Sequence, residues 1–146
     1  MANNFLDDTL DGDYTNPKPA PKPIPDRLRK YLMDGRIISF HTKYLWPIVG
    51  DVVSFNEVPI PDGYYRLRDE TTRFLILNSK VDHEYYVDLY TSRKGITIEV
   101  DGSRVNGIMP GSMAWHQGAE APDGWYHRAW LSRVLIRNGR VVRKVF

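Results

Sequence analysis

The residues that could carry chemistry in this chain are its histidines and the acidic residues beside one of them. The four histidines are His41, His83, His116 and His127. A metal site needs two or three ligands at i, i+4 on a helix or i, i+2 on a strand, and no pair of histidines has either spacing. The densest group of ligand types is Asp82-His83-Glu84, but adjacent residues of a strand point to opposite faces. We therefore expect no metal site.

Motifs for covalent catalysis and for nucleotide binding are also missing from the sequence. No serine lies in a nucleophile elbow, and the glycines form neither a phosphate loop nor a dinucleotide fingerprint. The 146 residues include no cysteine, which excludes disulfides, thiolate zinc sites, iron–sulfur clusters and a cysteine nucleophile. A serine–histidine–carboxylate arrangement assembled by the fold stays open. The sequence predicts a protein that is not an enzyme and has no cofactor.

The distribution of charge is more informative than the net charge of +2. Residues 1–16 carry aspartates and no base, whereas no acidic residue follows Asp123. The cations of the C-terminal segment include Arg133, Arg137, Arg140, Arg143 and Lys144, close in sequence to Trp125, Tyr126 and Trp130. Cations interleaved with aromatic rings are typical of single-strand nucleic-acid grooves. Aromatic residues of β proteins also fill cores, so whether Trp115, Trp125 and Trp130 are core or contact residues stays open.

The element that sets the domain organisation is a proline-rich stretch near the N-terminus. Residues 16–25 hold half of the ten prolines, with Pro17, Pro19, Pro21 and Pro23 at alternate positions. Proline fixes φ and has no N–H, so the stretch should be an extended polyproline II spacer. The sequence therefore predicts an arm over residues 1–25 and a single β domain over residues 26–146.

The arm before the spacer contains too few apolar residues to enclose a core. They are Phe5, Leu6, Leu10 and Tyr14, set among Asp7, Asp8, Asp11 and Asp13. Such a peptide becomes ordered only on a partner. We expect these apolar side chains and the prolines to bind another protein subunit, and the basic C-terminal residues to be a receiving surface.

The rest of the chain has the pattern of a mainly β protein. One short helix is expected over residues 25–35, where Pro25 and Asp26 suit a helix start and Gly35 a stop. Strands are expected over residues 37–40, 51–55, 64–67, 73–77, 85–90, 96–100 and 103–108, with two more near the C-terminus. We expect no internal repeat. Closely spaced short strands favour a small antiparallel barrel or a sandwich, between which the sequence does not decide.

Two hairpins can be predicted with their registers. A two-residue turn at Asp101-Gly102 would place Glu99 opposite Arg104. A turn at Asn138-Gly139 would place Arg137 opposite Arg140 and Arg133 opposite Lys144. The second hairpin would thus contain two like-charge pairs, which acidic groups of a partner, of a phosphate backbone or of the chain's own arm would relieve.

One segment resembles a known family. Residues 110–125 include a glycine followed by Ala121-Pro122-Asp123-Gly124-Trp125, and Ser132-Arg133 follows. This pattern resembles the opening of the bacteriophage tail-collar domain over roughly twenty residues. Where the family usually continues with Cys-Asp-Gly, this chain has His127-Arg128-Ala129. The resemblance implies a virion protein and assigns no functional residue.

These observations favour a non-enzymatic structural or assembly protein. We expect a small bacteriophage virion component of the head, neck or tail, which joins neighbouring subunits through its N-terminal arm in a homo- or hetero-oligomer. The alternative is a binding module that acts on nucleic acid or on a host protein through its basic C-terminal hairpin. No run of 18 apolar residues and no secretory signal occurs, so we expect synthesis in the cytoplasm, a place in the virion and no membrane partner.

Overall fold

The structure is a computed structural model that describes residues 27–68, 70–129 and 131–146, and it consists of antiparallel β-strands joined by turns. The strands are β1 (Arg27–Tyr31), β2 (Ile37–His41), β3 (Val52–Phe55), β4 (Val58–Pro59), β5 (Gly63–Arg66), β6 (Thr72–Leu77), β7 (Lys80–Thr91), β8 (Thr97–Ser103), β9 (Ala114–His116), β10 (Ala119–Glu120), β11 (Gly124–Ala129), β12 (Ser132–Arg137) and β13 (Arg140–Val145). The prediction of a mainly β, antiparallel protein is confirmed.

The sheet does not close into a barrel, so that alternative was wrong. Its main path runs β10-β9-β8-β7-β11-β12-β13, and the two end strands do not pair with each other in the described ranges. The remaining strands, β1 to β6, pair among themselves and join the path through β7. None of the described residues lies in a helix long and apolar enough to cross a membrane.

The helix expected over residues 25–35 was wrong. Residues 27–31 form β1, which pairs with β2 from Arg27 opposite His41 to Tyr31 opposite Ile37. Gly35 does not end a helix: at φ +91° it lies in the tight turn between β1 and β2. Leu28 and Lys30 of β1, and Leu32 just after it, alternate along the chain and face the core side, so tertiary pairing outweighs the helical spacing.

The two halves of the described chain repeat one another, which is also contrary to expectation. Strands β5 and β6 pair in the same register as β11 and β12, and both following hairpins carry a bulge at the same place. The matched pairs are Gly63 with Ile76 and Gly124 with Ile136, Tyr65 with Phe74 and Tyr126 with Val134, Arg66 with Arg73 and His127 with Arg133. The bulges lie between Leu75 and Ile76 and between Leu135 and Ile136.

The repeat extends to individual hydrogen bonds. Asp62 Oδ1 accepts the backbone N–H of Asn78 at 2.8 Å, and Asp123 Oδ1 accepts that of Asn138 at 2.9 Å. The tyrosine hydroxyls of the two copies both donate to the proline four residues earlier: Tyr65 to Pro61 O at 2.6 Å and Tyr126 to Pro122 O at 2.8 Å. We call residues 28–81 the N-terminal repeat and residues 88–141 the C-terminal repeat.

The repeat is visible in the sequence once the register is known. Pro61-Asp62-Gly63 returns as Pro122-Asp123-Gly124, and Arg73-Phe74-Leu75-Ile76 returns as Arg133-Val134-Leu135-Ile136. The loop that links these two motifs is one residue longer in the N-terminal repeat, so the interval changes from 61 to 60 residues. This shift and the low identity between the copies conceal the period.

Each repeat has its own hydrophobic core. The N-terminal core includes Ile38, Phe40, Val53, Phe74 and Ile76, all fully buried. The C-terminal core includes Ile98, Val100, Ala114, Val134 and Ile136, also fully buried. Strand β7 runs from one repeat into the other, because its first residues pair with β6 and its last with β8.

The hairpin predicted at Asp101-Gly102 was wrong, because β8 continues straight through both residues and pairs with β7 and β9. Gly102 is needed for a close approach and not for a turn: a Cβ there would lie 3.1 Å from the carbonyl carbon of Gly107. The chain turns instead between Ser103 and Gly107, so the strand expected over residues 103–108 was also wrong.

For the second hairpin, the predicted turn is confirmed, but the predicted register of the residues farther from the turn is wrong. Asn138 and Gly139 have φ values of 52° and 72°, as a two-residue turn requires, and Arg137 pairs with Arg140. The bulge beyond Ile136 leaves Val142 unpaired and shifts the register by one residue. Arg133 therefore lies opposite Val145 and not Lys144, so only one of the two like-charge pairs forms.

Candidate interaction surface

A buried ion-pair cluster joins the two repeats. The guanidinium of Arg73, on β6, lies between Glu99 and Asp101 of β8 and contacts both carboxylates. The second oxygen of Glu99 accepts a hydrogen bond from Arg66 Nε at 3.2 Å. Only 5% of the Arg73 side chain and 1% of the Asp101 side chain are exposed. Such charges are stable in the interior only as partners, so each repeat requires the other here.

Aromatic rings complete this inter-repeat contact. The indole Nε1 of Trp115 donates to Asp101 Oδ2 at 2.9 Å, and the Arg73 guanidinium lies 4.9 Å from the centre of the Trp115 ring. The ring of Tyr64 lies 5.0 Å from the same ring. Burial raises the pKa of Asp101 above its ordinary value of 3.8, while Arg73 and the Trp115 N–H act in the opposite direction. Water is therefore largely excluded from the contact.

At the position equivalent to Arg73, the C-terminal repeat has an arginine but, among the described residues, no carboxylates like Glu99 and Asp101 beside it. Arg133 takes the place of Arg73, His127 that of Arg66, and Trp125 that of Tyr64, as their identical registers show. Arg133 is exposed and lies 5.0 Å above the Trp125 ring, which is 37% exposed. Within the described ranges no carboxylate lies within 4 Å of Arg133.

This position opens onto a groove of about 680 Å³. The groove lies between residues 92–96, which form the β7–β8 turn, the first half of β11 and Arg133. We call it the basic groove and define it by Arg93, Lys94, Trp125, His127 and Arg133. Asp123 also lines it, but its Oδ1 accepts the Asn138 N–H. The groove can bind an anion between its cations and stack a planar group on Trp125.

Of the five basic residues predicted from the C-terminal segment, four are exposed on one face of the β12–β13 hairpin and one lies on the other face. Arg133 lines the basic groove, while Arg137 and Arg140 flank the hairpin turn, where Arg140 Nη1 donates to a backbone carbonyl at 2.9 Å. Arg143 is exposed opposite Leu135, on the same face as Arg133. Lys144 pairs with Val134 and so lies on the other face. The four arginines therefore share one face of the hairpin, and Lys144 does not.

The predicted anchors lie outside the described residues. They are the apolar residues Phe5, Leu6, Leu10 and Tyr14 and the prolines Pro17, Pro19, Pro21 and Pro23.

The tryptophans and neighbouring tyrosine have different roles. Tyr126 is a core residue with 2% exposure, Trp125 is a surface residue of the basic groove, and Trp115 lies in the inter-repeat contact. Trp130 lies outside the described residues.

The Asp82-His83-Glu84 group is divided among different partners. His83 Nδ1 lies 2.6 Å from Asp82 Oδ2, whereas Glu84 accepts a hydrogen bond from Trp46 Nε1 at 2.6 Å and lies 3.2 Å from Arg104 Nη2. In the part of the chain that the structure describes, no three potential metal ligands of the His, Cys, Asp and Glu types come together.

The most informative residues of the inter-repeat contact were not among the sequence predictions. Arg73 and Glu99 were expected as ordinary strand residues and Asp101 as a turn residue, since no motif marks them as ion-pair partners. The signal that could have found them is the recurrence of Arg73 as Arg133 in the repeated Arg-x-Leu-Ile motif.

No protein-family model matches the chain, and no curated protein or solved structure matches it either. The turn at Pro122-Asp123-Gly124, which carries the tail-collar resemblance, is one of two copies of the same turn in this chain. Its geometry therefore belongs to the repeat.

Proposed function

We propose that this chain is a non-enzymatic structural protein whose copies assemble through the N-terminal arm, residues 1–25. The observation that carries the proposal is the basic groove, where no carboxylate of residues 27–68, 70–129 or 131–146 lies within 4 Å of Arg133, although its counterpart Arg73 binds two. The arm supplies the opposite charge. In this assembly the anchors are Phe5, Leu6, Leu10 and Tyr14, and the spacer contains Pro17, Pro19, Pro21 and Pro23.

Tethering explains why a weakly apolar arm is sufficient. A peptide with four apolar anchors has little intrinsic affinity, but in an assembly each arm is held near its site at a high effective concentration. A proline spacer of nine residues at about 3.1 Å each spans on the order of 28 Å, which reaches a neighbouring copy. The tail-collar resemblance favours a bacteriophage virion as the particle.

Deletion of residues 1–25 tests the proposal. The full chain should form concentration-dependent oligomers in sedimentation velocity, and the deleted chain should remain a monomer of unchanged circular dichroism. A matched control keeps the arm length and replaces Asp7, Asp8, Asp11 and Asp13 by asparagine, which should weaken assembly without abolishing the apolar contacts. Oligomers of equal size and stability from the deleted chain would contradict the proposal.

A second candidate function, nucleic-acid binding, is favoured by the stacking surface of Trp125 beside the groove cations. Under that hypothesis a single-stranded oligonucleotide binds with an affinity that falls steeply with salt, and Arg133→Ala weakens binding. Affinity that is indifferent to both changes would exclude it.

A further inference from the structure

We propose that the basic groove binds Asp11-Gly12-Asp13 from the arm of a second copy, and thereby reproduces between chains the contact that Glu99 and Asp101 make with Arg73 inside the chain. This inference rests on the proposed function and names the receiving site and the segment that fills it.

The inter-repeat contact shows which ligand this fold binds. Glu99 and Asp101 lie two residues apart on β8, so both carboxylates project from the same face of an extended strand and enclose the Arg73 guanidinium. Trp115 closes one side of the cluster by stacking on the guanidinium. A ligand for the equivalent cation should therefore be an extended segment with acidic residues at i and i+2.

The basic groove offers the matching half of that contact. Arg133 and His127 pair across β11 and β12 as Arg73 and Arg66 do across β5 and β6. The Arg133 guanidinium lies over the Trp125 ring, the counterpart of Tyr64, whereas the ring over Arg73 is Trp115, which the other repeat supplies. Arg93 and Lys94 add positive charge beside the open position.

The sequence contains three places where acidic residues are two apart. Glu99 and Asp101 are already in the inter-repeat contact, and Glu84 of the Asp82–Glu84 pair is bonded to Trp46 and Arg104. The third is Asp11-Gly12-Asp13, which is followed by Tyr14, a ring able to stack beside Trp125. This segment thus has the required charge spacing.

The N-terminal repeat of a second copy does not fit the groove. The residues equivalent to Glu99, Asp101 and Trp115 are Ser39, His41 and Ser54, as the paired registers of β2 with β3 and β8 with β9 show. None carries negative charge, and Ser39 and Ser54 are buried within their own repeat. If the N-terminal repeat of a second copy packed against the basic groove, it would therefore bring no carboxylate to Arg133, whereas the arm supplies two.

The test is a charge exchange in the full chain, read by sedimentation velocity. Arg133→Glu alone and the pair Asp11→Lys with Asp13→Lys alone should each lower the association constant by at least about tenfold. All three substitutions together should restore it to within about threefold of wild type. The control is Lys43→Glu, the same charge change at an exposed lysine of the N-terminal repeat, which should leave association within about threefold of wild type.

Failure of this proposal can be distinguished from failure of the proposed function. If deletion of residues 1–25 abolishes assembly but the triple variant shows no recovery, the arm binds elsewhere and the proposed site is wrong. If a labelled oligothymidine binds and Arg133→Glu abolishes that binding while arm charge reversal leaves association unchanged, the groove is a phosphate site. If the wild-type chain and the triple variant both sediment as monomers at every concentration, the arm does not join two copies and the proposal is overturned.

Discussion

Replacing Arg73 by alanine should destabilise the chain far more than replacing Arg133, although the two arginines occupy equivalent positions. Arg73→Ala leaves Asp101, whose side chain is 1% exposed, without its cation. Removing one partner of a buried ion pair destabilises by about 3–5 kcal/mol. Glu99 is 25% exposed and keeps Arg66, so we expect the lower end, about 3 kcal/mol.

Arg133→Ala is the matched control. It removes an exposed cation–π contact with Trp125 and, within the part of the chain that the structure describes, no ion pair, which corresponds to about 0.5–1 kcal/mol. Urea unfolding followed by tryptophan fluorescence gives both free energies by linear extrapolation. Arg73→Ala combined with Asp101→Asn should recover part of the loss, because no charge is then stranded at position 101. Equal destabilisation by the two alanine variants, within about 0.5 kcal/mol, would refute this reasoning.

Three further predictions concern the repeat and its interface. Asp62→Ala and Asp123→Ala each remove the same turn hydrogen bond, so both should lower the free energy of unfolding by about 1 kcal/mol, and strongly unequal losses would contradict the structural equivalence. Gly102→Ala should destabilise by about 1–3 kcal/mol in urea unfolding, because its Cβ would press on the backbone of Gly107 at 3.1 Å; an unchanged midpoint would contradict that approach. The folded-state pKa of Asp101 is raised by burial, so between pH 3.8 and that raised pKa the Asp101 carboxyl binds more protons in the folded than in the unfolded chain. The stability of wild type relative to Asp101→Asn should therefore fall as pH rises through this window. Urea unfolding across about pH 3–7 measures the difference, and a difference that is constant or that favours wild type increasingly with pH would contradict the prediction.

Local turn chemistry accounts for what the sequence predicted correctly. Asn138-Gly139 permits two successive positive φ values, and the alternation in residues 73–77 places Phe74 on a buried face. The same chemistry misled at Asp101-Gly102, where glycine serves a close backbone approach and β7 and β9 occupy both edges of β8. A dipeptide does not reveal which of its properties the fold uses.

The candidate site was only partly predictable for a different reason. The lack of a carboxylate near Arg133 among the described residues has meaning only beside Arg73. That comparison requires the repeat, which a one-residue change in loop length conceals. The bulge at Val142, opposite Leu135 and Ile136, also moves Lys144 away from Arg133, and the residue types at that bulge do not predict it. The sequence shows that acidic and basic residues are separated along the chain, but it does not show on which sheet face each charged side chain lies.

The central claim is that the arm of one copy docks in the basic groove of another, and a mixture of two variants tests it most directly. Arg133→Glu keeps an intact arm, and Asp11→Lys with Asp13→Lys keeps an intact groove. Each variant alone should sediment as a 16.9 kDa monomer. An equimolar mixture should form a heterodimer of about twice that mass that extends no further. A mixture that remains monomeric, while the wild-type chain assembles at the same concentration, would contradict the claim.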